Sequence, residues 1–205
     1  MSGLLIAVCG LDGAGKTTQI SLLNDWFLIK GKKILLTKQP TDYYRNDTRV
    51  REYLDHGICP NMKAIALLSA ADRTWHMAKE IEPALHNGVH VISDRYIYSS
   101  YAFFRTRGLD YDYLDNIYGT LKKPDLTIFL DLEPEITLKR VMERDGNENM
   151  KYEEKDTKVF EQVRSSFLEV LPKDTLFING ALEKNTIHEQ IVHRVGILLE
   201  TRLVP

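Results

Sequence analysis

The sequence predicts an α/β domain in which a parallel sheet is wrapped by helices on both faces. Three observations lead there. Short apolar runs alternate with stretches of helical periodicity along the whole chain, as when strands feed crossover helices. A glycine-rich segment falls between the first apolar run and the first helix. Polar, chemistry-bearing residues gather just after the apolar runs, at what would be the carboxyl ends of the strands, where such sheets bind ligands. The 205 residues and 43% hydrophobic content suffice for a sizeable core. With no linker, repeat or low-complexity segment, residues 1–205 are expected to form a single domain.

Leu4-Leu5-Ile6-Ala7-Val8 reads as the first buried strand. Gly10-Leu11-Asp12-Gly13-Ala14-Gly15-Lys16-Thr17 then matches G-x-x-x-x-G-K-[ST], the phosphate-binding P-loop. The apolar positions Ile20, Leu23 and Phe27, with Leu22 and Trp26 beside them, make the next segment an amphipathic helix. The glycines therefore lie between a strand end and a helix start, where backbone N–H groups and the helix dipole attract anionic oxygen. In such a loop Lys16 reaches the terminal phosphates and the Thr17 hydroxyl ligates magnesium.

Ile34-Leu35-Leu36-Thr37 is the second strand, closed by Pro40. Residues 41–57 are polar, with Tyr43, Tyr44 and Tyr53 interleaved, and read as a loop followed by a short helix. Asn61 can cap a helix running to about Leu85, with Ile65, Leu68, Ala71, Trp75 and Ala78 as its buried stripe. Ser69, Arg73 and His76 share another face, which on pattern alone is a solvated face or part of a site. After the turn Asn87-Gly88, the strand Val89-His90-Val91-Ile92-Ser93 delivers Asp94-Arg95. Asp94 is either a helix N-cap or an acid managing magnesium-bound water or the acceptor. The aromatic-rich residues 96–121 are expected mainly to pack, with one or two left to stack on a ligand.

Leu126-Thr127-Ile128-Phe129-Leu130 is the fourth strand, ended by Asp131, and Pro134 opens the next helix. Arg140 and Arg144 lie on one face of that helix, just before the turn formers Asp145-Gly146-Asn147. They suit a mobile lid at about 140–156, or an exposed helix paired with Glu143 and Glu148. A helix over about 157–171, the strand Thr175-Leu176-Phe177-Ile178, the turn Asn179-Gly180 and a last helix carrying Ile187, Ile191, Val195 and Leu198 complete the chain. The P-loop, Gln39-Pro40, Asp94-Arg95 and Asp131 all follow predicted strands, so they are expected to share one site.

With 27 basic and 29 acidic residues, a net charge of −2 gives no chain-wide field for nucleic acid or an anionic membrane. No apolar run approaches a membrane span, and the first residues lack a basic signal-peptide region. The two cysteines make no disulfide framework and suit a reducing cytosol. The expectation is a cytoplasmic protein. The base-reading segment N-K-x-D of GTPases is absent, which favours a small kinase over a GTPase.

Several segments together resemble the thymidylate kinase family of P-loop nucleoside monophosphate kinases. They are Gly10 to Thr17 continued by Thr18-Gln19, Leu68-Ser69-Ala70-Ala71-Asp72-Arg73, Asp94-Arg95-Tyr96-Ile97-Tyr98-Ser99-Ser100-Tyr101-Ala102, Pro124-Asp125-Leu126-Thr127-Ile128-Phe129-Leu130-Asp131 and Pro134-Glu135-Ile136-Thr137-Leu138-Lys139-Arg140. The resemblance implies a P-loop NTPase fold with a small lid, ATP and Mg2+ as cofactors, phosphoryl transfer from ATP to dTMP giving dTDP, and a homodimer. It implies that Asp12 arranges the acceptor's sugar and phosphate, Arg73 contacts the base, Arg95 holds the acceptor phosphate and Asp94 stands at the reaction centre with a metal role. Lys38, Ser69, Ser100 and Phe104 join the acceptor pocket, and Gly180-Ala181 the adenine side. Ala14 stands where some members carry a P-loop arginine, so Arg140 and Arg144 are expected to supply that charge. The departures are Lys38-Gln39-Pro40 for Arg-Glu-Pro, Ser69 for a stacking phenylalanine, and Phe104 for glutamine. Phe104 or Tyr101 is left to supply the stack. A deoxynucleoside kinase, or a nucleotide-binding regulatory protein without transfer activity, are the alternative functions.

Overall fold

A computed structural model describes residues 2–146 and 152–202. Its centre is a parallel sheet of β1 (Leu5–Gly10), β2 (Ile34–Lys38), β3 (His90–Asp94), β4 (Leu126–Asp131) and β5 (Leu176–Asn179), in the order β2-β3-β1-β4-β5. Every residue of β1 is buried, which explains its unbroken apolar run: a central parallel strand has both faces covered. Alternation still assigns its side chains. Leu5, Ala7 and Cys9 enter one apolar cluster; Leu4 just before the strand, then Ile6 and Val8, enter the other. Register places Val8 beside Asp94 of β3 on one side and Ile128 of β4 on the other.

The second cluster is closed by α1 (Lys16–Ile29) through Ile20, Leu23 and Phe27, and by α10 (Lys184–Thr201) through Ile187, Ile191 and Val195. The first is closed by α4 (Met62–His76), α6 (Ile97–Thr106), α7 (Tyr111–Tyr118) and α9 (Thr157–Val170). Connecting them are α2 (Asp42–Arg45), α3 (Thr48–His56), α5 (Glu82–His86) and α8 (Pro134–Asp145). The expected strands and most expected helices are therefore present. The loop-then-helix reading of 41–57 becomes two short helices, because Thr41 and Asp47 each cap one by accepting from Tyr43 N–H and Arg49 N–H. Asn61 caps α4 through Lys63 N–H, as its sequence predicts, and helical chain continues through a π turn at Met77–Ile81 into α5.

One expectation is reversed. The stripe Leu68, Ala71, Trp75 and Ala78 is not the core face of α4 and its extension. Trp75 is 65% exposed, Ala71 and Ala78 are exposed, and Leu68 is half-buried. The buried face instead carries Ile65, Ala66, Ser69, Ala70, Arg73 and His76. Polar residues can occupy it because each finds a partner: Arg73 donates to Ser100 and Gln39, and His76 bonds Thr37 and Gln39. A satisfied buried network removes the penalty that makes such faces rare. Among the described residues no helix is long and apolar enough to cross a membrane.

Candidate active site

The P-loop leaves β1 through glycines that the fold requires. Gly10 has φ +144°, and a Cβ there would stand 2.7 Å from the Leu130 carbonyl oxygen. At Gly13, φ +88°, it would stand 2.5 Å from the Thr137 carbonyl oxygen of α8. Gly15 precedes α1 in a left-handed conformation, and no side chain caps the helix N-terminus. Ala14 N–H reaches the Leu11 carbonyl at 3.3 Å, while Thr17 and Thr18 stand exposed on the first turn. An uncapped N-terminus below a glycine cradle suits a phosphate group.

Lys16 is buried, with Nζ donating to the Leu11 carbonyl at 2.9 Å and 3.6 Å from Asp12 Oδ1. Burial, and then the neighbouring Arg95, push its ammonium down to about 8, against the opposing pull of Asp12 and Asp94. Arg95 follows β3 with φ +65°, a left-handed conformation rare outside glycine. There its Nη2 donates to Asp12 Oδ1 at 2.9 Å, its guanidinium lies 5.1 Å from the centre of the Phe103 ring, and its buried Nη1 has no hydrogen-bond partner. Asp94 Oδ1 is likewise buried without one. Asp94 does not cap α6, which starts after Tyr96 with no side-chain cap. Two orphaned groups of opposite sign beside a phosphate cradle fit a phosphorylated ligand and a cation.

Beside the P-loop runs a cleft of about 860 Å³, counting the solvent at its mouth, lined by Leu11, Asp12, Pro40, Ser69, Arg73, Arg95, Ser100, Phe103 and Phe104 among others. Arg73, wholly buried, donates through Nε to Ser100 Oγ at 2.8 Å and through Nη1 to Gln39 Oε1 at 2.9 Å. Phe104 stacks on Tyr118 with centroids 6.5 Å apart.

The same cleft brings in residues that the sequence reading left aside. Arg45 Nε donates to the Pro40 carbonyl at 3.0 Å. Arg107 forks onto Glu153 at 2.8 and 2.6 Å, and its guanidinium faces the rings of Tyr53, Phe103 and Phe104 at 4.8 to 5.5 Å. Tyr53 donates to the same carboxylate at 2.7 Å. The interleaved tyrosines of 41–57 were the only local signal of this wall.

Three expected placements are corrected. Lys38 is half-exposed and pairs with Asp42 at 2.7 Å; the pleat of β2 turns it into a separate surface groove with Trp75 and Glu80. The buried partner from Lys38-Gln39-Pro40 is Gln39. Tyr101 packs among Tyr98, Tyr111 and Tyr118 and donates to Asp115 at 3.0 Å; it does not line the cleft. Asp131 is forked by Arg164 at 2.7 and 3.0 Å, in a second recess with Ala181. Gly180 N–H donates to the Asp131 carbonyl at 2.6 Å there.

Arg140 reaches the P-loop, donating to the Gly13 carbonyl at 3.3 Å. Arg144, one turn on, forks onto the adjacent Asp145 at 2.6 and 2.5 Å. The lid expected at about 140–156 includes 147–151, which lie outside the described residues.

A model of the family described as thymidylate kinase matches residues 8–191. A probable thymidylate kinase of Pyrococcus horikoshii is 39% identical over 199 residues, covering 94% of this chain and 95% of the relative. One of Thermococcus kodakarensis is 37% identical, covering 96% and 98%. The thymidylate kinase of Schizosaccharomyces pombe is 34% identical, covering 95% and 92%. With matches of this extent, and with Arg73 and Arg95 lining one cleft beside the P-loop residues Leu11 and Asp12, the chain belongs to the thymidylate kinase family.

Proposed function

We propose that the protein uses ATP and Mg2+ to phosphorylate dTMP to dTDP. The observation that carries this reading is one cleft holding both buried Arg73 and Arg95 with its orphaned Nη1, where Arg95 and Lys16 converge on Asp12 Oδ1 at 2.9 and 3.6 Å. A nucleoside alone gives no reason to bury an unpaired cationic donor, whereas an acceptor phosphate does. In this reading the Pγ–O bond of ATP breaks while an oxygen of the acceptor phosphate bonds to Pγ.

Each residue then has a task. Lys16 balances negative charge on the donor's terminal phosphates, and the N–H groups of Gly13 to Thr17 cradle them. Magnesium supplies charge neutralisation there, and Thr17 and Asp94 are the residues that would hold it. Arg95 grips the acceptor phosphate while Asp12 fixes its guanidinium. Arg73, with Ser69, Ser100 and Phe104, presents donors and apolar surface to the base. Arg140, already at Gly13, is the lid cation for the charge that develops in transfer, with Arg144 behind it. Gly180 and Ala181 border the recess for the adenine.

The test is a panel with ATP of thymidine, deoxyuridine, deoxycytidine and deoxyguanosine, each as nucleoside and monophosphate. Turnover is expected with dTMP, at a KM about one to two orders of magnitude higher than a ring at position 69 would allow, since a base–aromatic stack contributes about 1–3 kcal/mol. Activity confined to nucleosides would establish the deoxynucleoside kinase instead. A folded, ATP-binding protein idle on every acceptor would leave the regulatory role.

The reading extends to a cytoplasmic homodimer with no nucleic-acid partner, in keeping with the net charge of −2. The exposed stripe of α4 supports the dimer: Leu67 and Trp75 are 50% and 65% exposed, with Ala64 and Ala71 on the same side. Trp75→Glu places a charge in that stripe, away from the acceptor cleft. Sedimentation velocity should show a dimeric parent and a monomeric variant; a monomeric parent refutes the assembly.

A further inference from the structure

Behind the acceptor cleft, Arg73 is the first member of a buried relay that the proposed reaction does not itself require. Its Nη1 donates to Gln39 Oε1 at 2.9 Å. Gln39 Nε2 stands 3.1 Å from His76 Nδ1, and His76 Nε2 stands 2.9 Å from Thr37 Oγ1. Gln39, Arg73 and His76 are at most 3% exposed, so a partner lost at Gln39 leaves a buried polar group. Glu80 lies at the far end, its carboxylate 3.4 Å from His76 Nε2.

The chemistry of the end member fixes every proton along this line. A guanidinium has five donors and no acceptor, so the amide group facing Arg73 must be the carbonyl. The NH2 of Gln39 then faces His76 Nδ1, which must accept, and the imidazole proton must sit on Nε2, where Thr37 Oγ1 and the Glu80 carboxylate can take it. Turning the Gln39 amide over would set NH2 against guanidinium, donor against donor. The Nδ1 lone pair of His76 is what penalises that turn from the other side.

We infer that Gln39 and His76 are positioning residues for Arg73. The unprotonated Nδ1 of His76 holds the Gln39 amide in the one orientation that lets Arg73 present its remaining donors to the acceptor. This rests on the proposed role of Arg73 as the residue that meets the acceptor base. Neither Gln39 nor His76 is among the residues lining the cleft, so both act only through Arg73.

Two near-isosteric variants separate positioning from packing. In His76→Asn the amide oxygen occupies the place of Nδ1 and can still accept from Gln39. In His76→Gln the terminal amide occupies the place of Nε2, keeping Thr37 but leaving the Gln39 NH2 without an acceptor. A neutral hydrogen bond contributes about 0.5–1.5 kcal/mol, which is about threefold to tenfold. The KM for dTMP should therefore rise about threefold to tenfold in His76→Gln and stay within about twofold of the parent in His76→Asn. The KM for ATP and kcat should hold in both. Long-range nitrogen-15 correlation spectra of the unmodified protein should show His76 protonated on Nε2 alone. A proton on Nδ1, or equal effects of the two variants, overturns the inference. Because the spectrum needs no turnover, it reports on the relay even if the acceptor panel rejects dTMP.

Discussion

Lys16→Ala will lower phosphoryl transfer about a hundredfold to a thousandfold while the protein stays folded. The loss is that of one preorganised charge aimed at developing negative charge. The fold should survive although Lys16 is buried, with its ammonium on the Leu11 carbonyl. Its charged form is nevertheless unwelcome there, since burial and Arg95 hold it at about 8. A lysine depressed in the folded state costs stability in full below that folded value, and the cost fades as pH rises toward the unfolded value. The Tm of Lys16→Ala at pH 7 should therefore equal or exceed the parent's, and Asp12 keeps its bond to Arg95. ATP binding by the parent at pH 8 should take up protons, because polyphosphate favours the ammonium. Calorimetry in buffers of different ionisation enthalpy measures that uptake. Normal turnover by the folded variant would refute the site.

Arg95→Ala will be the costlier change on the acceptor side. Its guanidinium is buried, bonded to Asp12 and packed on Phe103. Removing it leaves the Asp12 carboxylate where the acceptor phosphate should approach, so an attraction becomes a repulsion. Truncating one partner of a buried charge pair between a protein and what it binds costs about 2–5 kcal/mol, which is about one and a half to three and a half orders of magnitude in kcat/KM for the monophosphate. Arg95→Lys keeps the charge but loses the fork, and should recover only part. The KM for ATP should move little in either. A variant whose kcat/KM for dTMP falls less than tenfold, with melting unchanged, would remove Arg95 from the acceptor site.

The strands and the P-loop were readable because their signals are contiguous: five apolar residues in a row, or four fixed positions within eight. Asp94-Arg95 and Arg73 were readable as a pattern shared with a family. The side of α4 that faces inward was not. Trp75 and Ala71 outweigh Ser69 and Arg73 on any hydrophobic scale, and only partners just past β2 and on α6 make the polar side the buried one. Lys38 misled for a local reason, since alternation along β2 turns it outward while Gln39, one residue on, goes inward. Arg107 and Glu153 lie 46 residues apart and become a pair only when α6 meets the turn before α9.

The acceptor cleft sets Arg45, Arg73, Arg95 and Arg107 against Asp12 and Glu153, two positive charges in excess on a chain whose total is −2. The low-dielectric walls of such a cleft concentrate field lines at its mouth. A dianionic monophosphate thus meets weak repulsion from the molecule at large and attraction only along the path to the reacting centre. Beyond a Debye length of about 8 Å at physiological ionic strength, the two contributions fade together, so encounter is guided only over the last stretch. Added salt then slows capture of the acceptor more than it slows the chemistry, and an uncharged nucleoside gains nothing from the guidance.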